Sequence, residues 1–213
     1  MVDFTDREEE LAEVLPSEPA RPKKITIVVV IAIILAVLYL MGFLGTIPGL
    51  IMQTVSPGGF NFATDSDDPQ MRMQAELQAN LAEVTQTYFI PLILLALATL
   101  AVGSFLLYSS IQVLRRGELA DYRLFNNSLI FAIVLVIANT VGTVLIQIAN
   151  WNAIQSALSS GDAGPQGELM RNIMMFSMVL GIGMGVAFEL GKLIYFIIAR
   201  WMIGHYITTL DKS

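Results

Sequence analysis

An all-α integral membrane fold, a four-helix bundle whose helices two to four extend into a small extracytoplasmic helical cap, follows from three features of this 213-residue sequence. The chain is 55% apolar and only 14% charged, with mean hydropathy +0.66, which leaves too little polar surface to solvate a water-soluble domain. Four apolar runs, at about 25–44, 89–114, 128–147 and 174–198, can each cross a hydrocarbon core of about 30 Å, which takes roughly 20 helical residues. Basic residues fall on alternate connections. Arg7, Arg21, Lys23, Lys24, Arg115, Arg116, Arg123, Arg200 and Lys212 lie on one side and only Arg72 and Arg171 on the other, so both termini are expected in the cytoplasm of a multi-pass plasma or inner membrane protein. In lipid the spans must be helical, because a backbone amide there finds no water to bond.

Residues 1–24 form an acidic cytoplasmic tail, expected to be largely disordered and to end in a Pro-rich linker. Thr5 and Glu8 stand at capping-box spacing and Leu11, Val14 and Leu15 follow at helical intervals, so a short partner-binding helix is the alternative. The transmembrane domain is expected over 25–204. Its first run is longer than a signal-peptide core and no small-x-small site follows it, which favours an uncleaved span. The outer segment 45–88 begins with turn formers, GTIPGLIMQTVSPGGFNFATDSDD, and should be irregular there. Asp68 then caps a helix opening at Pro69, whose stripe Met73, Leu77, Leu81, Val84 and Tyr88 needs a packing partner. The outer ends of helices three and four are the expected partners, and Pro91 should kink or break the chain where it meets the membrane.

The second span ends in RRGELADYRLF, where Arg115, Arg116 and Arg123 are placed to hold anionic lipid headgroups. Span three carries Asn139, Thr143 and Gln147 at four-residue steps, a set that either hydrogen-bonds to neighbouring helices or lines a hydrophilic path opening outward. Beyond it the helix should run past Trp151 to SSGDAGP, and Pro165 should start the fourth helix outside the bilayer. Span four contains GIGMGVAFELGK. Gly181 with Gly185, then Ala187 with Gly191, give the small-xxx-small spacing that admits a close helix neighbour. Without a preceding strand, GIGMG is no nucleotide-binding loop.

Glu189 and Lys192 stand one turn apart within that span and are expected to pair. If the fourth helix meets the core near Asn172, Glu189 lies seventeen residues and about 25 Å on, close to the cytoplasmic face, whereas an entry near Phe176 leaves it deeper and more costly. Tyr108 and Arg123 fall near that level as further partners. A buried intramembrane carboxylate is also a functional candidate in its own right. His205, in the cytoplasmic tail 205–213, stands alone and makes a poor metal site.

Met170, Met174 and Met178 align on the fourth helix, and Met71 and Met73 form an MxM outside it; thioethers suit Cu(I). The MxxxM and GxxxG spacings resemble those of high-affinity copper importers over about a dozen residues. Those proteins carry the two spacings on separate helices of a three-span chain, whereas here both fall on one. Absence of cysteine excludes disulfides and thiolate metal sites, and with them the cysteine-bearing outer loops of the four-span tetraspanins and claudins. Ser–His–Asp, HExxH and phosphate-loop patterns are missing.

Abundant packing signals beside so few reactive groups point to a non-catalytic scaffold or accessory subunit without a cofactor. Its expected partners are the bilayer and a second copy or another membrane protein, with no nucleic acid. The alternative is a small oligomeric transporter or channel using Glu189 and the polar stripe of span three, with copper handling through the Met stripe as a variant. An enzyme acting on lipid has no specific motif behind it.

Overall fold

The structure, a computed structural model, describes residues 22–55, 69–160 and 164–212. Among these there are five helices and no strand: α1 (Lys23–Val55), α2 (Pro69–Thr87), α3 (Phe89–Arg115), α4 (Leu119–Ser160) and α5 (Gly164–Leu210). Four of them, α1, α3, α4 and α5, are long and apolar enough to cross a membrane. The possible helix at residues 5–15 lies outside the described residues, as does the cap at Asp68.

Helix α1 does not stop near residue 44 but continues through Pro48 to Val55. Proline removes one backbone donor, and the neighbouring turns carry the helix past it. Helix α2 is separated from α3 only by Tyr88. The break has its cause three residues on: the Pro91 ring cannot donate to, and crowds, the carbonyl of Thr87, so the ladder passes through Tyr88 N–H to Val84 O (3.0 Å) and Leu92 N–H to Tyr88 O (2.9 Å). Helices α3 and α4 are joined by a tight turn at Gly117, whose φ of 66° is left-handed backbone that glycine adopts without strain. Asp121 then accepts from the Glu118 N–H (3.2 Å), the reciprocal half of a capping box, and starts α4 at once. So short a turn makes α3 and α4 antiparallel neighbours.

Spans α1, α3, α4 and α5 form a ring in sequence order, in which the diagonal pairs do not approach and the closing contact, α5 on α1, is by far the thinnest. The core fills the end of the ring where α1 begins and α5 finishes, here called the basic end, through Val29, Ala32 and Ala36 of α1, Leu106 and Val113 of α3, Phe125, Leu129 and Val136 of α4, and Phe196 and Ile203 of α5. Small residues bring α1 onto α3: a Cβ on Gly103 would stand 3.1 Å from Tyr39 Cβ and 3.5 Å from the Ala36 carbonyl. Ser109 and Ser128 join α3 to α4 by a buried hydrogen bond of 2.8 Å. Each hydroxyl also lies within bonding reach of its own helix, at Leu106 O and Phe125 O, so neither is stranded in the core. Tyr122 against Tyr206, edge to face at 5.0 Å, sets the register of α4 on α5.

At 42 and 47 residues, α4 and α5 are about 63 and 70 Å long, twice a hydrocarbon core. The far part of α4 receives α2. Leu77, Leu81, Val84 and Tyr88 are half-buried while Glu76, Gln78 and Glu83 are exposed, so the apolar stripe faces inward. Asn80 Nδ2 donates to Ala153 O (3.3 Å) and Ser156 Oγ (3.1 Å). Replacing Asn80 by Ala is expected to weaken this docking by about 0.5–1.5 kcal/mol, the net worth of such bonds. Faster amide exchange over 75–87 in the variant would register it, and unchanged protection would mean that the apolar stripe alone holds α2.

Candidate functional site

The intramembrane charges collect at the thin seam between α1 and α5. Glu189 and Lys192 form an ion pair one helical turn apart, with side chains only 19% and 10% exposed. Lys192 Nζ also stands 4.9 Å from the ring centre of Tyr39 on α1 and 5.1 Å from that of Phe188, so its charge is held between two aromatic faces as well as by the carboxylate. Below it, Phe196 stacks on Tyr39 at 6.4 Å, and the Tyr195 hydroxyl donates to the Val28 carbonyl across the same seam. These contacts are what closes the ring. Two buried polar atoms at the seam have no hydrogen-bond partner, Glu189 Oε2 and the Tyr39 hydroxyl.

This arrangement differs from the expected partners of the pair. Tyr39 is fourteen residues past Ile25, so Lys192 reaches a level about 21 Å along α1 from Ile25. The aromatic faces take over part of the solvation of the Lys192 ammonium. Neither Tyr108 nor Arg123 joins Glu189. Tyr108 is 56% exposed on α3, which does not approach α5. Arg123 instead pairs with Asp211 through both carboxylate oxygens, at 3.0 Å each, on the exposed basic end.

The α5 glycines meet nothing among the described residues, and of them Gly181 and Gly185 lie on the side of α5 that carries Lys192 and Phe196. A Cβ built on Gly181, Gly183, Gly185 or Gly191 finds no atom within 4 Å, and the same holds for Gly42 and Gly45 on the facing half of α1. Ala187 is exposed, as are Phe176, Val179 and Met184. Above the Tyr39–Lys192 contact, then, α1 and α5 stand apart. In the polar set of α4, Thr143 is exposed while Asn139 and Gln147 are half-buried. From the Tyr122–Tyr206 register, Asn139 falls at the height of Glu189, but no hydrogen bond joins them.

Arg115 and Arg116 are exposed at the basic end. Of the methionine row, Met178 is half-buried, and the side chains of Met170 and Met174 lie outside those described, as do those of Met71 and Met73. Among the described residues no three His, Asp or Glu side chains gather as a metal site. His205 is not in a loose tail but on α5, which continues to Leu210, with its ring stacked on Trp201 at 6.2 Å. Sequence reasoning passed over Tyr39 and Tyr195. A hydroxyl deep in an apolar run was the available signal, since a buried tyrosine needs somewhere to direct its polar end. No family model, curated protein or solved structure matches this chain.

Proposed function

We propose that the protein is a non-catalytic subunit of a membrane assembly, and that the open seam between the far halves of α1 and α5 receives a transmembrane helix of a second copy or of another membrane protein. The observation that carries this reading is the pair Gly181 and Gly185, one turn apart on the same side of α5 as Lys192 and Phe196, with no described atom within 4 Å of where a Cβ would stand. In lipid, helices associate through close backbone approach and interhelical hydrogen bonds, because the tails are as apolar as the side chains. A helix bearing a small-residue face fits the groove with close backbone contact.

The excess of lysine and arginine at the basic end supports a cytoplasmic position for it, with both termini inside. On that orientation α2, which among the described residues packs on the far part of α4 and not on α5 as well, makes with α4 a small extracytoplasmic helical cap, a second surface on which a partner can rest.

The absence of cysteine gives a direct test. Gly181→Cys and Gly185→Cys, oxidised in native membranes, should form adducts with a second copy or with a partner. Phe131→Cys, on a 55% exposed lipid face of α4, measures random collision. Adducts no more abundant than that control would overturn the reading.

A further inference from the structure

At the basic end a different groove lies between α4 and α5, outside the seam. It holds about 560 Å³ and is lined by Asn126 and Ile133 of α4 and by Ile197, Arg200, Trp201 and His205 of α5, with Gly204 and Thr208 completing the wall. The α5 residues recur at steps of three and four, so they share one helix face, and from 197 to 208 that face runs about 16 Å along the axis. Its chemistry is graded along this length. Ile133 and Ile197 form the wall toward the membrane centre; Arg200, His205, Asn126 and Thr208 form the wall toward the basic end. Trp201 is 72% exposed, as an aromatic residue at a headgroup boundary is.

The polar groups here are unequally satisfied. Arg200 forms no salt bridge among the described residues, while the one acidic side chain paired with an arginine at this end, Asp211, is held by Arg123. Asn126 Oδ1 is buried without a partner. The Thr208 hydroxyl donates to the His205 carbonyl at 2.7 Å, which leaves its oxygen free only to accept. The groove therefore offers a cationic fork for an anion, the Thr208 oxygen as an acceptor for a hydroxyl donor beside it, and an apolar trough leading away toward the membrane core.

We propose that this groove is a binding site for an anionic glycerophospholipid with a hydroxyl-bearing headgroup. The phosphodiester lies on the Arg200 guanidinium, with the His205 ring as a further donor; a headgroup hydroxyl donates to Thr208 Oγ1; one acyl chain follows Ile133 and Ile197 past the Trp201 ring. Charge complementarity selects the occupant: the groove itself carries a cation and no anion, and Lys23, Lys24, Arg115 and Arg116 stand at the same end of the bundle.

Trp201 reports occupancy directly, because the chain has only two tryptophans and Trp151→Phe leaves it as the single fluorophore. The Trp151→Phe protein is placed in phosphatidylcholine vesicles doped with brominated phosphatidylglycerol, phosphatidylethanolamine or phosphatidylcholine, and quenching gives relative binding constants. Phosphatidylglycerol should exceed phosphatidylcholine about fivefold, the ratio corresponding to about 1 kcal/mol for one basic side chain near the surface. Arg200→Gln should bring that ratio near one, whereas Arg115→Gln with Arg116→Gln, which removes general basic charge away from the groove, should leave it. Equal quenching by the two lipids, a preference that survives Arg200→Gln, or loss of preference only in the Arg115/Arg116 variant would overturn the site. Phosphatidylethanolamine matching phosphatidylglycerol would overturn the headgroup assignment, since its ammonium would then be the donor recognised.

Discussion

Replacing Lys192 by Met destabilises the protein by about 3–5 kcal/mol, the usual cost of removing one partner from a buried ion pair. Methionine keeps the length and apolar stem of lysine, so the loss isolates the charge from the packing. The single variant leaves the Glu189 carboxylate, 19% exposed, with Oε1 as well as Oε2 lacking a donor. It also empties the position between the Tyr39 and Phe188 rings. Removing both charges, as Glu189→Leu with Lys192→Met, should recover most of the stability or exceed the parent, because two well-packed apolar side chains avoid the desolvation that the pair incurs. Reversible unfolding in mixed micelles, read by far-UV circular dichroism, compares the three proteins. A double variant as weak as the single one would show that Lys192 acts through its stem and its rings and that its charge is incidental.

The second large effect falls on a glycine that has no partner motif. Gly103→Val should cost about 1–3 kcal/mol, the range for overpacking a closed site. Its Cβ would already be 3.1 Å from Tyr39 Cβ, an atom fixed to the α1 backbone that cannot rotate aside, and the two methyl groups beyond would press on the Ala36 carbonyl and Leu40. Helices α1 and α3 would have to separate. Gly185→Val, with no atom within 4 Å of its Cβ, should leave the monomer's stability within about 0.5 kcal/mol, as substitutions away from packed features do. The same unfolding measurement on both variants makes the contrast. If Gly185→Val lost as much as Gly103→Val, the far half of α5 would be packed within the chain and the proposed assembly face would disappear. Read beside the cysteine cross-links, the pair separates a glycine that the fold requires from glycines held available for another molecule.

Much of this is visible in the residue order alone, and the reason is the solvent. A span must be apolar for about 20 residues, so run length and hydropathy locate α1, α3, α4 and α5 before any packing is known. The stripe from Leu77 to Tyr88 likewise exposes its buried face, because α2 carries enough polar residues for the apolar ones to stand out. The ends of the helices are less legible. Pro48 and Gly204 mark plausible stops, yet both lie inside helices, since turns on either side hold the ladder through them.

Within the spans the same solvent hides the neighbours. Lipid-facing and helix-facing positions are equally apolar, so composition along α5 cannot say which side meets α1 and which meets acyl chains. The GxxxG spacing at Gly181 and Gly185 marks a surface able to accept a backbone, but nothing in the chain approaches it, while the unremarked Gly103 carries the tightest approach. Residue order alone dictates an all-helical, four-span chain with its basic residues gathered at one end. The ring order of the helices, the level of Glu189 and Lys192 beside Tyr39, and the choice of which glycine is covered arise from side chains tens of residues apart meeting across the bundle, and no local pattern encodes those heights.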